Sequence, residues 1–137
     1  MANTIYPKGR EGFAGADIAW DADTIKLVAV DSGYTYNAAH DFLDDVGAAA
    51  RVATSSAFTT KSITNGVLDA DDVTLSALPT GDTITAIVVF QDTGVEATSR
   101  LILFYDTKAD TTAISVATNG GDVVVTWSDS STRIAQI

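Results

Sequence analysis

The chain has no cysteine, a single histidine (His40), two prolines and only 8 lysines and arginines among its 137 residues. Without cysteine there is no disulfide framework, no zinc site built on thiolates and no cysteine nucleophile. Scarcity of positive charge excludes a second class. Eight basic against 18 acidic residues give a formal net charge of −10, which repels a nucleic-acid backbone at long range. Lys8, Arg10, Lys26, Arg51, Lys61, Arg100, Lys108 and Arg133 are scattered singly, so no basic block makes a local exception. Long apolar runs are missing too. No stretch approaches the ~20 residues of a membrane-spanning helix. The opening Ile5-Tyr6-Pro7 run is cut short by Lys8, Arg10 and Glu11, unlike the apolar core of a signal peptide. The expectation is a soluble protein with neither nucleic acid nor a membrane as partner.

What the chain does have is apolar material. Hydrophobic residues make up 46% and charged residues 19%, a composition that folds rather than one that stays disordered. A single domain over 1–137 is expected, and at this size it buries about 65 to 70% of the unfolded surface without a metal or disulfide staple.

Along the chain, an extended N-terminal arm (about 1–7) leads to Pro7, which suits the first position of a short helix over residues 8–15. Gly9, Gly12 and Gly15 weaken that helix by about 1 kcal/mol each where they are interior, so Phe13 and Trp20 are expected to hold it by packing. Residues 21–30 alternate Ile25, Leu27 and Ala29 against Lys26 and Val28, a strand period, and Asp31-Ser32-Gly33 then turns. Asn37 is placed to cap a second short helix over 38–46, stopped at Gly47. Residues 48–60 read as an edge strand or a loop. From Lys61 onward the pattern is β. Asn65-Gly66 is a two-residue hairpin signal, and Val73, Leu75 and Ala77 alternate with Thr74 and Ser76. Residues 83–91 and 100–105 are the most hydrophobic strands and are expected at the centre, joined by an exposed loop over 92–99. Further strands are expected over 113–117, 122–127 and 133–137, with a turn at Asn119-Gly120-Gly121 and a polar tip over 128–131. Strands with turns every 8 to 12 residues indicate a mainly β fold, an antiparallel β-sandwich or barrel such as a jelly roll, with one or two short helices in the N-terminal half.

The chemistry-bearing constellations are thin. His40-Asp41 is the one imidazole beside a carboxylate, but no Gly-x-Ser-x-Gly elbow accompanies it, and a surface histidine is the simpler reading. Asp21-Ala22-Asp23 and Asp69-Ala70-Asp71-Asp72 offer oxygen ligands at spacing two, yet lack the glycine and distal glutamate of an EF-hand loop. They read as solvated turns, with calcium as the alternative. Among the 18 acidic residues only Glu11 and Glu96 are glutamate, and that excess of aspartate is turn chemistry. No GxGxxG or P-loop is present, so no cofactor is expected. Trp20, Trp127, Tyr6, Tyr34, Tyr36 and Tyr105 line either a ligand surface or the core. With no catalytic set, the chain is expected to act through its surface and not as an enzyme. Candidate partner-contacting residues are Ile5, Tyr6 and Phe13 near the N-terminus and Gly94, Val95 and Glu96 in the most prominent loop. The apolar start around Ile5 and the apolar end at Ile134 and Ile137 either complete a sheet or dock on a neighbour.

One sequence resemblance adds to these readings. Ile5-Tyr6-Pro7-Lys8 is followed by residues 25–36 leading into His40-Asp41-Phe42, then by residues 67–74, Asp92-Thr93-Gly94, residues 98–102 and 119–123, and Thr126-Trp127. In this order and coverage the chain resembles a family of small virion structural proteins of tailed bacteriophages, of the capsid decoration or cement kind. The glycine-rich helix after Pro7 departs from that pattern. The resemblance implies a virion protein made in the host cytoplasm and carried on the capsid surface, with major capsid protein and copies of itself, as a homotrimer, for partners. A tail, neck or baseplate adaptor or fibre-associated protein is the alternative, and a carbohydrate-binding module on the virion the third.

Overall fold

The computed structural model describes residues 3–128 and 133–137. In chain order these form β1 (Thr4–Ile5), α1 (Pro7–Ala14), β2 (Ile25–Val30), β3 (Arg51–Thr54), β4 (Ser62–Thr64), β5 (Val67–Asp69), β6 (Val73–Leu75), β7 (Thr83–Ile84), β8 (Ala86–Gln91), β9 (Leu101–Tyr105), β10 (Val116–Ala117), β11 (Val123–Val125) and β12 (Ala135–Gln136). Single 3-10 turns occupy Leu43–Asp45, Ala48–Ala50 and Glu96–Thr98. The fold is mainly β and antiparallel, with one α-helix near the N-terminus.

Five strands form the central sheet in the order β1-β9-β8-β2-β3. Ala86–Gln91 and Leu101–Tyr105, within the two most hydrophobic stretches, supply its middle. Both faces are buried. Ile25, Leu27, Ala29, Ile87 and Val89 point into one core, and Val28, Val30, Ala86, Val88 and Phe90 into the other. The period-2 rule accounts for this, because cross-strand partners such as Leu27↔Val89 and Val28↔Val88 share a face. One step breaks the alternation. The β8–β9 register runs Val89↔Leu103 and then Phe90↔Leu101, so Ile102 is a bulged residue, and Ile102 and Leu103 both enter the first core.

The first face is covered by three small antiparallel ribbons, β12-β5-β4, β11-β6 and β10-β7. The second is covered by residues 31–50, through Tyr34, Leu43, Val46 and Ala50. The arrangement is therefore layered. Among the described residues no sheet closes into a barrel, and the strands do not divide into the two four-stranded sheets of a jelly roll.

Several local expectations meet the coordinates directly. Pro7 opens α1. Asn65 (φ 52°) and Gly66 (φ 78°) join β4 to β5 with the paired positive angles of a type I′ turn. The glycines of α1 prove to be its packing face. Gly9 and Gly12 are buried, and a Cβ on Gly9 would stand 2.9 Å from the Leu101 carbonyl oxygen. The low helix propensity is thus the condition for α1 to approach β9.

Two expectations are corrected. Residues 38–46 are not a helix: the Asn37 carboxamide accepts from the Ala39 N–H (2.9 Å), and the Leu43 N–H donates to the Ser99 carbonyl (2.8 Å). The backbone bonds that a helix would need go to a local turn and to a neighbouring segment. Residues 83–91 are not one strand. Thr85 separates β7, which pairs with β10, from β8, which pairs with β2 and β9. Of the two readings of residues 48–60, the edge strand is the one found, as β3. The tip over 128–131 lies outside the described residues beyond Ser128.

Candidate functional site

The sequence-derived candidates separate into buried and exposed groups. Ile5 pairs opposite Leu103 on the edge of the central sheet, and its side chain is buried. Tyr6 is fully buried, with its ring 5.1 Å from that of Tyr36. The apolar N-terminal segment thus completes its own sheet, and neither side chain faces a neighbour. Phe13 is half-buried against the first core. Gly94, Val95 and Glu96 are exposed, Val95 at 57%.

The loop that carries these three is built from side-chain hydrogen bonds. Asp92 accepts from the Gly94 N–H (2.9 Å), and the Thr93 N–H donates to the buried Ser99 hydroxyl (3.1 Å). Ser99 in turn donates to the Val95 carbonyl (2.9 Å), while the Thr93 and Thr98 hydroxyls lie 2.6 Å apart. At its base the Lys26 ammonium contacts Asp92 (2.7 Å); that hydrogen bond first, and the Gly94 N–H second, hold the Asp92 carboxyl below its ordinary range. At its apex the Arg51 guanidinium reaches Glu96 (2.6 Å) while also donating to the carbonyls of Leu43 and Val46. The same contact lowers the Glu96 carboxyl. Gly94 supplies the positive φ of 85° that the turn needs. An isopropyl group is thereby held in water by a framework that leaves it little freedom.

His40 is not a free surface side chain. Its Nδ1 lies 2.9 Å from the Tyr34 hydroxyl, which lies 2.7 Å from that of Tyr6. Burial raises both phenols above their ordinary range. The chain of three groups links the loop over 31–50 to the central sheet. The Asp-rich turns tie segments together. Asp71 accepts from the hydroxyls of Thr59 (3.1 Å) and Thr60 (2.7 Å), Asp72 from the Trp127 N–H (2.9 Å), and Asp23 from Gln91 (2.6 Å) and the Ala19 N–H (2.8 Å). Among the described residues no three His, Asp or Glu side chains converge as a metal site would require.

The aromatics divide between the two cores. Tyr6, Tyr34, Tyr36 and Phe104 pack on the second face of the sheet, whereas Trp20, Phe58, Trp127 and Tyr105 form a tilted series on the first. The latter reaches a feature that sequence reasoning missed, an open cleft of about 610 Å³ between the central sheet and the ribbons. Its walls include Ile87, Tyr105, Val123, Val125 and Trp127. No local signal marks it, because its lining comes from stretches far apart in the chain; the consecutive valines of β11 are the nearest to one.

No protein-family profile and no curated protein matches the chain.

Proposed function

We propose that the protein is a structural component of a tailed-bacteriophage particle: a capsid decoration protein that sits on the outside of the head and bridges major capsid protein subunits as a homotrimer. The observation that carries this reading is Val95, an apolar side chain held out into solvent by the hydrogen-bonded loop over 92–99. A contact residue already ordered before docking loses little entropy on binding, so most of the gain from burying it is kept. For Val95 that gain is on the order of 1 kcal/mol per copy. Many copies on one lattice convert such increments into resistance of the shell to internal pressure. The order of motifs along the chain supports the same reading, and a net charge of −10 suits a surface that stays in solvent.

Cryo-electron microscopy of the particle that carries the protein tests this through copy number and location. Hundreds of copies on the outer face of the head are expected, with the loop over 92–99 against coat protein. A single ring at the neck or tail would overturn the reading and make the protein an adaptor.

A further inference from the structure

The cleft between the central sheet and the ribbons differs in charge from the rest of the molecule. The chain carries 18 acidic and 8 basic residues, yet the ionised side chains that line the cleft are Lys108 and Arg133, and no described carboxylate lines it. Their acidic neighbours stand outside the lining: Asp69 is 3.9 Å from Arg133, and Asp110 feels the charge of Lys108. Arg133 is held by further contacts of its own, and two more polar groups of the wall bond internally. Asn3 donates to the Thr107 carbonyl (2.8 Å) and accepts from the N–H groups of Asp106 (2.9 Å) and Thr107 (3.0 Å), and the Tyr105 hydroxyl donates to the Ile134 carbonyl. What faces a ligand is an apolar trough from Ile87, Val116, Val123 and Trp127, with the Lys108 ammonium at its margin.

A volume of about 610 Å³ lies within the ~300–1,000 Å³ of small-molecule sites, and walls of apolar side chains with few charged groups are their usual chemistry. We infer that the cleft binds a small amphiphile with a carboxylate head, the aliphatic chain lying along the β11 valines and Trp127 and the head at Lys108. The Lys108 ammonium donates a charge-assisted hydrogen bond to a carboxylate and repels a cationic head. This inference does not rest on the location of the protein in a particle.

The net charge and the cleft make opposite forecasts, which gives a clean test. Titration calorimetry on the full chain compares decanoate with decyltrimethylammonium. A −10 protein binding by bulk electrostatics alone takes up the cation more tightly; the cleft takes up decanoate more tightly, with methyl NMR shifts at Val123, Val125 and Ile87 and none at Leu43 or Val46 in the opposite layer. Lys108 is exposed, so K108E is expected to fold, and it should weaken decanoate by roughly fivefold while leaving decanol unchanged. Equal or tighter binding of the cation, shifts that map to the opposite layer, or no decanoate binding up to its solubility would each overturn the inference. Polypeptide density filling the cleft in the particle map would also overturn it.

Discussion

The two covers of the central sheet differ in kind. The layer over the second face, residues 31–50, has almost no regular structure, yet its apolar core is sealed: Tyr34, Leu43, Val46 and Ala50 are buried, the Tyr6–Tyr34–His40 chain closes it, and the depression left where Gly33 and Gly47 meet Gly81 and Thr83 is shallow and polar. The layer over the first face is made of regular strands and is open. Its ribbons leave the 610 Å³ cleft and present Ile63, Val124 and Ile137 to solvent. Closure thus does not follow strand content. A ribbon of two or three short strands buries one face and leaves two edges, whereas an irregular segment anchored by large side chains can follow the sheet beneath it.

Substitutions in the shared sheet should cost most. Leu27→Ala removes a fully buried side chain from β2, and urea denaturation should show a loss of about 2 to 5 kcal/mol. A similar loss from Val124→Thr, on the open side at 58% exposure, would erase the contrast between layers; less than about 0.5 kcal/mol is expected there.

Gly9→Ala separates propensity from packing. Helix propensity alone would stabilise α1 by about 1 kcal/mol, but the new Cβ would stand 2.9 Å from a backbone oxygen of β9. A net loss of about 1 to 3 kcal/mol is expected by thermal or denaturant unfolding, and a gain would mean that α1 does not bear on the sheet as described.

On the sealed side, Tyr34→Phe deletes the hydroxyl between Tyr6 and His40. It should cost about 1 to 2 kcal/mol and speed amide exchange in residues 31–50 while leaving the ribbons as they were. Equal acceleration in both layers would show that they are not separate units.

The smallest effect is electrostatic. Asp92 is held below its ordinary range by Lys26, so its contribution to stability is full above about pH 4 and is lost as pH falls through the lower folded value. Asp92→Asn should flatten that part of the acid limb by less than about 1 kcal/mol, seen as a smaller fall in the urea midpoint between neutral and acidic pH. An unchanged limb would remove the ion pair from the account of the loop.

Legibility in the sequence followed the range of the interactions. Alternation over 25–30, the hydrophobicity of 86–91 and the Asn65-Gly66 turn are written in neighbouring residues, and the structure contains them. The helix over 38–46 was misread because Leu43 bonds to Ser99, far along the chain. Tyr6 was read as an anchor for a partner because an apolar arm and an edge strand have the same local pattern. The exposed loop over 92–99 was legible; the network that orders it, which reaches Arg51 and Lys26, was not.

By itself, the sequence determined a mainly β, cysteine-free, acidic domain, since composition, period and turn residues act locally or as sums. Tertiary structure alone decided the bulge at Ile102, the split at Thr85, the approach of α1 through Gly9 and the placement of Lys108 and Arg133 at one apolar cleft. Each depends on which distant strands lie side by side, and that is settled by the packing of whole faces rather than by the preference of any residue.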